Sequence, residues 1–278
     1  MRVSVNILAS SGHAKKVCNA MAYGIKASGD AAVVRSDRDF NMDGFDAAVF
    51  WGFTTECQKL VSKCEHGGIP WIYLDMAYWL RTSHYKVTVN NRHPDAYFMK
   101  RDMPHDRFKS FNLDIKPWAK NPDGPIVLAG MSGKAAWSWG YKAEEFERSV
   151  VDKLVRLTKR PIIYRPKPTW PDYKPIPGTK LSIGGDYSQL IATAHAVVSH
   201  HSNAGVDALV AGVPVFNRYG AALALGMHVD WNLNLIETPT YPDGREQFAA
   251  NLAYCQWSVD EMNNGKCWQH MKSLWSKT

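Results

Sequence analysis

The chain has 278 residues, 45% of them hydrophobic, enough to bury one large core or two compact ones, and no stretch approaches the ~20 uncharged apolar residues of a membrane span. Five cysteines, an odd number without a close CxxC pair, argue against a disulfide framework or a zinc site and fit a reducing cytoplasm. A net charge of +7 points to polyanions or phosphorylated ligands, with merely solvated basic faces as the alternative.

In chain order, Val3–Ala9 alternates with Ser4 and Asn6 as a strand does, which sets it apart from the apolar run of a signal peptide. After Ser10-Ser11-Gly12-His13, the residues Ala14, Val17, Cys18, Met21 and Ile25 fall at helical spacing, and Gly29 stops the helix. Ala31–Arg35 and Asp46–Phe53 read as strands, Glu56–Cys64 as a helix, and Ile69–Leu74 as a strand delivering Asp75 at its end. Tyr85–Val89 alternates like an extra strand or hairpin arm, and 91–120 is irregular, polar and basic. A turn-rich linker, "PWAKNPDGP" (117–125), precedes a restart of the alternation.

There Ile126–Ala129 is a strand, followed by "GMSGKAAWSWG" read as a loop. Phe146, Val150, Leu154 and Leu157 mark one face of a helix, and Ile162–Arg165 is a strand running into "PKPTWPDYKPIPGTK". Tyr187–Ala194 is a helix, Ala196–Ser199 a strand, Ala204–Ala211 a helix and Val213–Phe216 a strand. Ser258 and Glu261 stand at capping-box spacing ahead of a Trp-rich amphipathic tail. The repeated alternation predicts an α/β protein of two Rossmann-like domains with parallel sheets, over 1–120 and 121–245, facing across a cleft. Residues 246–278 are C-terminal helices that can cross back to the first domain. In such open sheets ligands bind outside the carboxyl ends of the strands, where the unusual loops fall.

The densest stretch is "VVSHHSNAGVDALVAGVPVF" (197–216): a buried strand, a polar turn, a small-residue helix, then Gly-x-Pro-Val. A helix mouth presents unpaired N–H groups and a positive dipole end, suited to phosphate. His201, Ser202, Asn203, Ala204 and Gly205 line it, the small ones leaving the backbone open to an anion. Asp207, one turn in, can accept from ribose hydroxyls. The alternative reading is an ordinary capped strand–helix unit. Two basic segments fit an anionic ligand: residues 148–180 hold nine Lys/Arg, and 76–120 hold nine, with His84, His93 and His105.

The 197–216 stretch resembles the C-terminal signature of GT-B-fold glycosyltransferases, nearest to capsule-polysaccharide transferases and compact phage-encoded, DNA-modifying ones. The resemblance implies a GT-B fold and a nucleotide-sugar donor, UDP-glucose by default, whose ribose Asp207 holds where the family usually has Glu. "YRPKP" (164–168) is similar to the family's K/R-P-H-P element and implies that Arg165 and Lys167 face the diphosphate; the alternative is a proline-rich loop with solvated bases. In "AGMSGKAAWSWG" (129–140), Ser132 and Lys134 join the donor set. It is not a Walker A loop; Trp137 and Trp139 either stack on a base or sugar or cover a domain interface.

Transfer to a hydroxyl needs a base. His13 resembles the Gly-His after the first strand of many GT-B enzymes, with helix capping as its alternative role. Asp75 ends a strand beside Tyr78 and Arg81 and is either base, acceptor contact or ion-pair partner of Arg81. "YKVTVNNRHPDAYF" (85–98) resembles phage enzymes and adds Arg92 and His93 to Tyr78 and Arg81 on the acceptor side. Charge and rings there suit hydroxymethylated pyrimidines in DNA. No obligatory metal is expected: Asp37-Arg38-Asp39 imitates a DxD motif by chance, and helix dipoles with basic side chains can replace an ion. A sugar-nucleotide epimerase shares the fold and stands as the other enzyme reading.

Overall fold

The computed structural model describes residues 1–94 and 98–275. The first part of the chain forms β1 (Arg2–Ile7), α1 (Gly12–Ala27), β2 (Ala31–Ser36), β3 (Ala47–Trp51), α2 (Thr55–His66), β4 (Trp71–Met76) and β5 (His84–Val89). The middle forms α3 (Asp106–Ser110), β6 (Ile126–Ala129), α4 (Gly133–Ser138), α5 (Glu145–Leu157), β7 (Ile162–Arg165), β8 (Lys180–Leu181), α6 (Tyr187–Ala192), β9 (Ala196–Ser199) and α7 (Asn203–Val210). There follow β10 (Val215–Asn217), β11 (Met227–His228), α8 (Val229–Asn232), α9 (Arg245–Ala253), β12 (Gln256–Ser258), α10 (Val259–Asn263) and α11 (Lys266–Trp275).

Contacts divide the chain into two units, Met1–Asp95 with Leu252–Thr278, and Ala96–Asn251. In the first, the sheet order is β12-β5-β4-β3-β1-β2, with β1 to β4 parallel and β5 antiparallel to both its neighbours. Strand alternation sends Val3, Val5, Val49, Leu74 and Tyr85 to one face, where they pack on α1 and on Met262, Trp268 and Met271 of the C-terminal helices. Phe50, Trp71 and Tyr73 go to the other face, against Leu60 and Cys64 of α2. The helix starts follow local chemistry: Ser11 caps α1 and Thr54 caps α2, and Ser258 with Glu261 completes the capping box of α10.

The second unit is a wholly parallel sheet in the order β11-β10-β9-β6-β7-β8. Its central strands, IVLA and AVVS, are buried along their whole length, as strands covered on both faces must be. The expected α/β architecture of two parallel-sheet domains is therefore present. The division differs from the one drawn at 120/121 and 245/246. Residues 98–120 belong with the second unit, where Lys116 N–H bonds to the Val210 carbonyl and Ala119 N–H to that of Gly212. All five cysteines are buried, and none is in a disulfide. No helix among the described residues is long and apolar enough to cross a membrane.

Candidate functional site

The carboxyl ends of β6, β7, β9 and β10 deliver four loops to one edge of the second sheet. After β6, Ser132 caps α4, its Oγ accepting from Ala135 N–H at 3.2 Å. The residue pattern predicts a loop over 130–140; a six-residue helix capped by serine and built on Ala135 and Ala136 carries no apolar periodicity to reveal it. After β9, Ser202 caps α7, its Oγ accepting from Ala204 N–H at 3.1 Å. The Oγ of Ser199, the last residue of β9, accepts from Ser202 N–H at 3.2 Å. Asn203 opens α7, and half-buried Asp207 lies one turn further along it. Lys134 and Lys167 are exposed at the mouths of their loops.

Two expected donor contacts have other partners. Arg165 is buried and spends its guanidinium on the Gly184 and Gly185 carbonyls and on Ser182 Oγ. It is a strap for the 182–185 loop rather than a charge offered to a diphosphate. Gly205 is small for packing: a Cβ there would lie 2.9 Å from both Ala222 Cβ and Asn217 Nδ2, so its open face meets β10 and not an anion.

The same holds in the β6 loop. A Cβ on Gly130 would come within 2.7 Å of the Tyr164 ring, and one on Gly133 within 2.5 Å of the Trp170 ring. Behind this loop stands Glu147 on α5, 1% exposed, accepting from Met131 N–H at 2.6 Å. Burial pushes its carboxyl above the ordinary value, against the hydrogen bond from Met131. Its Oε2 and the Tyr164 hydroxyl, both buried, make no hydrogen bond within the protein. Glu147 was invisible in the sequence, where it reads as one more charge on an amphipathic helix.

Between the two helix mouths lies a histidine–aromatic cluster. The buried His200 ring has ring centroids of Trp139, Tyr141, Phe146 and Tyr219 at 5.0, 5.5, 4.9 and 5.2 Å. His200 Nδ1 lies 2.9 Å from His201 Nδ1, so one ring donates and the other accepts. Trp139 stacks on Tyr219 at 4.7 Å and 17°, and Tyr219 is 46% exposed, presenting a ring at the edge; Trp137, at 56%, is exposed. Arg218 donates to the Tyr141 hydroxyl and pairs with Asp230 at 2.8 Å. Arg218 and Tyr219 were missed, though their place just after a strand is the signal that pointed to the other loops.

In the first unit the two candidate bases fall on opposite faces of the sheet. His13, exposed beyond β1, stacks on Trp51 at 5.8 Å with Nδ1 3.4 Å from the Tyr85 hydroxyl; Ser11, not His13, caps α1. Asp75 pairs in register with Lys86, one residue out of phase with the Met76–Tyr85 pair on the His13 face. Its Oδ2 accepts from the Tyr73 hydroxyl at 2.7 Å, its Oδ1 from Met76 N–H at 2.8 Å, and Lys86 Nζ stands at 3.7 Å.

The ion-pair partner of Asp75 is thus Lys86 and not Arg81, whose Nε donates to the Tyr78 carbonyl. Burial lowers the Lys86 ammonium, opposed by Asp75, and the amine sits over the Tyr73 and Tyr78 rings at 5.2 and 5.6 Å. Burial likewise brings Arg92, lying on the Phe53 ring, down to about 10. Tyr78 and His93 are buried and bonded to each other at 3.0 Å, so they shape this wall from within. Residues 95–97 of the "YKVTVNNRHPDAYF" stretch lie outside the described residues. Asp39 of the DxD look-alike pairs with Arg35. Among the described residues no group of three or more His, Cys, Asp or Glu side chains is placed to hold a metal.

No protein-family model and no curated protein sequence matches the chain. Solved structures do. KpsC of Thermosulfurimonas dismutans, a beta Kdo 2,4 transferase, is 13% identical and aligns over 90% of this chain and 89% of its own with a TM-score of 0.52. A beta Kdo 2,7 transferase structure of KpsC from the same organism is 12% identical over 98% and 99%, with a TM-score of 0.46. A putative UDP-N-acetylglucosamine 2-epimerase of Listeria monocytogenes is 10% identical over 90% and 94%, with a TM-score of 0.33. The likeness to the 2,4 transferase is one of fold, and that fold is GT-B.

Proposed function

We propose that the protein is a glycosyltransferase that moves a sugar from a nucleotide-sugar donor to a hydroxyl of a saccharide acceptor. The observation that carries this reading is the gathering, at the carboxyl edge of one parallel sheet, of two serine-capped helix mouths around a histidine–aromatic cluster. Helix mouths favour the charge of a departing diphosphate, and an exposed ring at the same edge offers a face to a base. In this reading the second unit holds the donor through Ser132, Ser202, Asn203 and the side chains of Lys134 and Lys167, with Asp207 on the ribose.

The first unit supplies the base. Asp75 takes the acceptor proton, the oxygen attacks the anomeric carbon, and the bond to the diphosphate breaks. A UDP-sugar is the donor to try first; the Kdo named for KpsC makes a Kdo-bearing nucleotide the next. Buried cysteines outside any disulfide suit a reducing cytoplasm.

A second reading, transfer to hydroxymethylated pyrimidines in phage DNA, has the net charge of +7 behind it. Against it, the basic stretch 76–120 is divided between the two units. Thermal-shift screening with UDP, GDP, CMP and their sugars tests the donor site, since a ligand of the folded state alone raises its stability. Binding of none of them overturns the reading. Asp75→Asn is expected to lower kcat by about 10²–10⁴ with nucleotide binding kept; if His13→Ala does so and Asp75→Asn does not, the base is His13. Turnover of a UDP-sugar without any acceptor would indicate an epimerase, and transfer to DNA in preference to glycans would favour the second reading.

A further inference from the structure

Outside the donor edge, the second unit has a concavity of about 260 Å³ lined by Lys153, Arg156 and Leu157 of α5 and by Asp230, Trp231, Leu233 and Asn234. Trp231 is 76% exposed, unusual for the largest apolar side chain. Its ring is nonetheless fixed, because one face stacks on His228 at 3.9 Å and 17°. With one face covered and three-quarters of the residue exposed, the other face is turned to solvent. A rigid indole with a free face has the shape and apolarity to take the C–H face of a sugar ring.

The polar rim suits the rest of such a ligand. Asn234 offers an amide that both donates and accepts, as hydroxyl pairs require. Lys153 and Arg156 are exposed cations on the same wall, and Arg is the side chain whose fork matches a carboxylate. Asp230 does not cancel them, because its charge is already paired with Arg218 at 2.8 Å. The volume lies below the roughly 300–1,000 Å³ of pockets that enclose drug-sized ligands, so it takes a sugar ring or a chain end and not a nucleotide sugar.

We infer that this concavity is a binding site for an acidic saccharide, the indole stacking on a ring and Lys153 with Arg156 meeting its carboxylates. A membrane surface also attracts Trp with Lys and Arg, but Leu233 is buried, which leaves Trp231 and Leu157 as the exposed apolar side chains of the lining, set among Lys153, Arg156, Asp230 and Asn234. Arg218 joins the site to the donor edge: the guanidinium that pairs with Asp230 also donates to the Tyr141 hydroxyl beside His200. The inference does not depend on the proposed transfer.

Calorimetric titration of the whole chain with a galacturonate hexamer, maltohexaose and phosphatidylglycerol vesicles tests it. The uronate is expected to bind more tightly than the neutral oligomer, with affinity falling as salt rises. Trp231→Ala should weaken it about tenfold or more. Lys153→Gln with Arg156→Gln should remove the preference for the acidic chain while leaving the neutral one unchanged. Binding of UDP-sugars should be the same in all these variants, which separates this site from the donor site. No uronate binding at millimolar concentration, binding indifferent to Trp231→Ala, or Trp231-dependent binding to vesicles alone would overturn the inference.

Discussion

Glu147 gives the sharpest test of how the proposed donor edge is held. Its Oε1 satisfies the buried N–H of Met131, the residue just before the Ser132 cap of α4. Glu147→Ala leaves that N–H without a partner in a site water does not reach, which costs about 1–3 kcal/mol before any cavity is counted. Glu147→Gln keeps the accepting oxygen and removes the titration. Burial raises the folded-state carboxyl above its ordinary 4.5, so the stability it contributes is complete below pH 4.5 and is lost as pH rises through the raised value. Between those two values wild type loses up to about 1.4 kcal/mol per pH unit relative to Glu147→Gln. Urea denaturation of wild type and both variants from pH 4 to 9 measures the difference, and nucleotide affinity at each pH reports on the loop. Glu147→Gln should match wild type near pH 4.5 and exceed it at pH 8, with Glu147→Ala lowest in stability and weakest for the donor. A Gln variant as unstable as the Ala variant, or a wild type that gains on Gln with rising pH, would refute the reasoning.

Three further outcomes follow from the packing. Gly133→Ala drives a methyl into the Trp170 ring and should cost about 1–3 kcal/mol by overpacking, with Gly133→Ala/Trp170→Leu recovering most of it in melting experiments. Lys86→Met removes an ammonium whose folded pKa is depressed by burial; its favourable contribution exists only above its ordinary 10.5 and is lost as pH falls, so at pH 7 the variant should be as stable as wild type or more so. Burial alone would raise the Asp30 carboxyl, but donation from Lys272 and Trp268 outweighs it and holds it far below the usual carboxylate range. Asp30→Asn should therefore cost about 1.5–3 kcal/mol at pH 7, and the gap to wild type should close as the pH falls below 4. Proteolytic release of the C-terminal helix reads it out.

Much of this architecture could be read from the residues because its central strands are buried on both faces. IVLA, IIYR and AVVS are short unbroken apolar runs ended by polar residues, and the three strands occupy the residues expected of them. The mouth of α7 was legible for a related reason: Ser202 is a strong cap directly after such a strand. The partners of side chains were not legible. Lys86 sits mid-strand, where lysine normally marks a solvent face; its amine instead lies over the Tyr73 and Tyr78 rings beside Asp75. Arg165 looked free because the carbonyls it holds lie 19 and 20 residues away. The placing of His13 and Asp75 on opposite faces needed the register of β4 against β5, which one residue of slip would reverse.

Glycine was the most misleading signal. Small residues after a strand suggest a backbone left bare for a ligand, and Gly130, Gly133 and Gly205 were consistent with that. In each case the space is filled by the protein itself, by Tyr164, by Trp170, and by Asn217 with Ala222. Two of these neighbours come from the loop and strand of the "YRPKP" motif, so the two motifs are joined through ring-on-glycine contacts. The consequence for the proposed donor edge is mechanical. The positions of Ser132 and Lys134 are set by how Tyr164 and Trp170 pack, while Arg165 and Gly205, which looked like ligand contacts, hold the walls. Substitutions at Tyr164 or Trp170 should then disturb donor affinity through the α4 mouth, and substitutions at Lys134 or Lys167, exposed and without structural load, should do so without loss of stability.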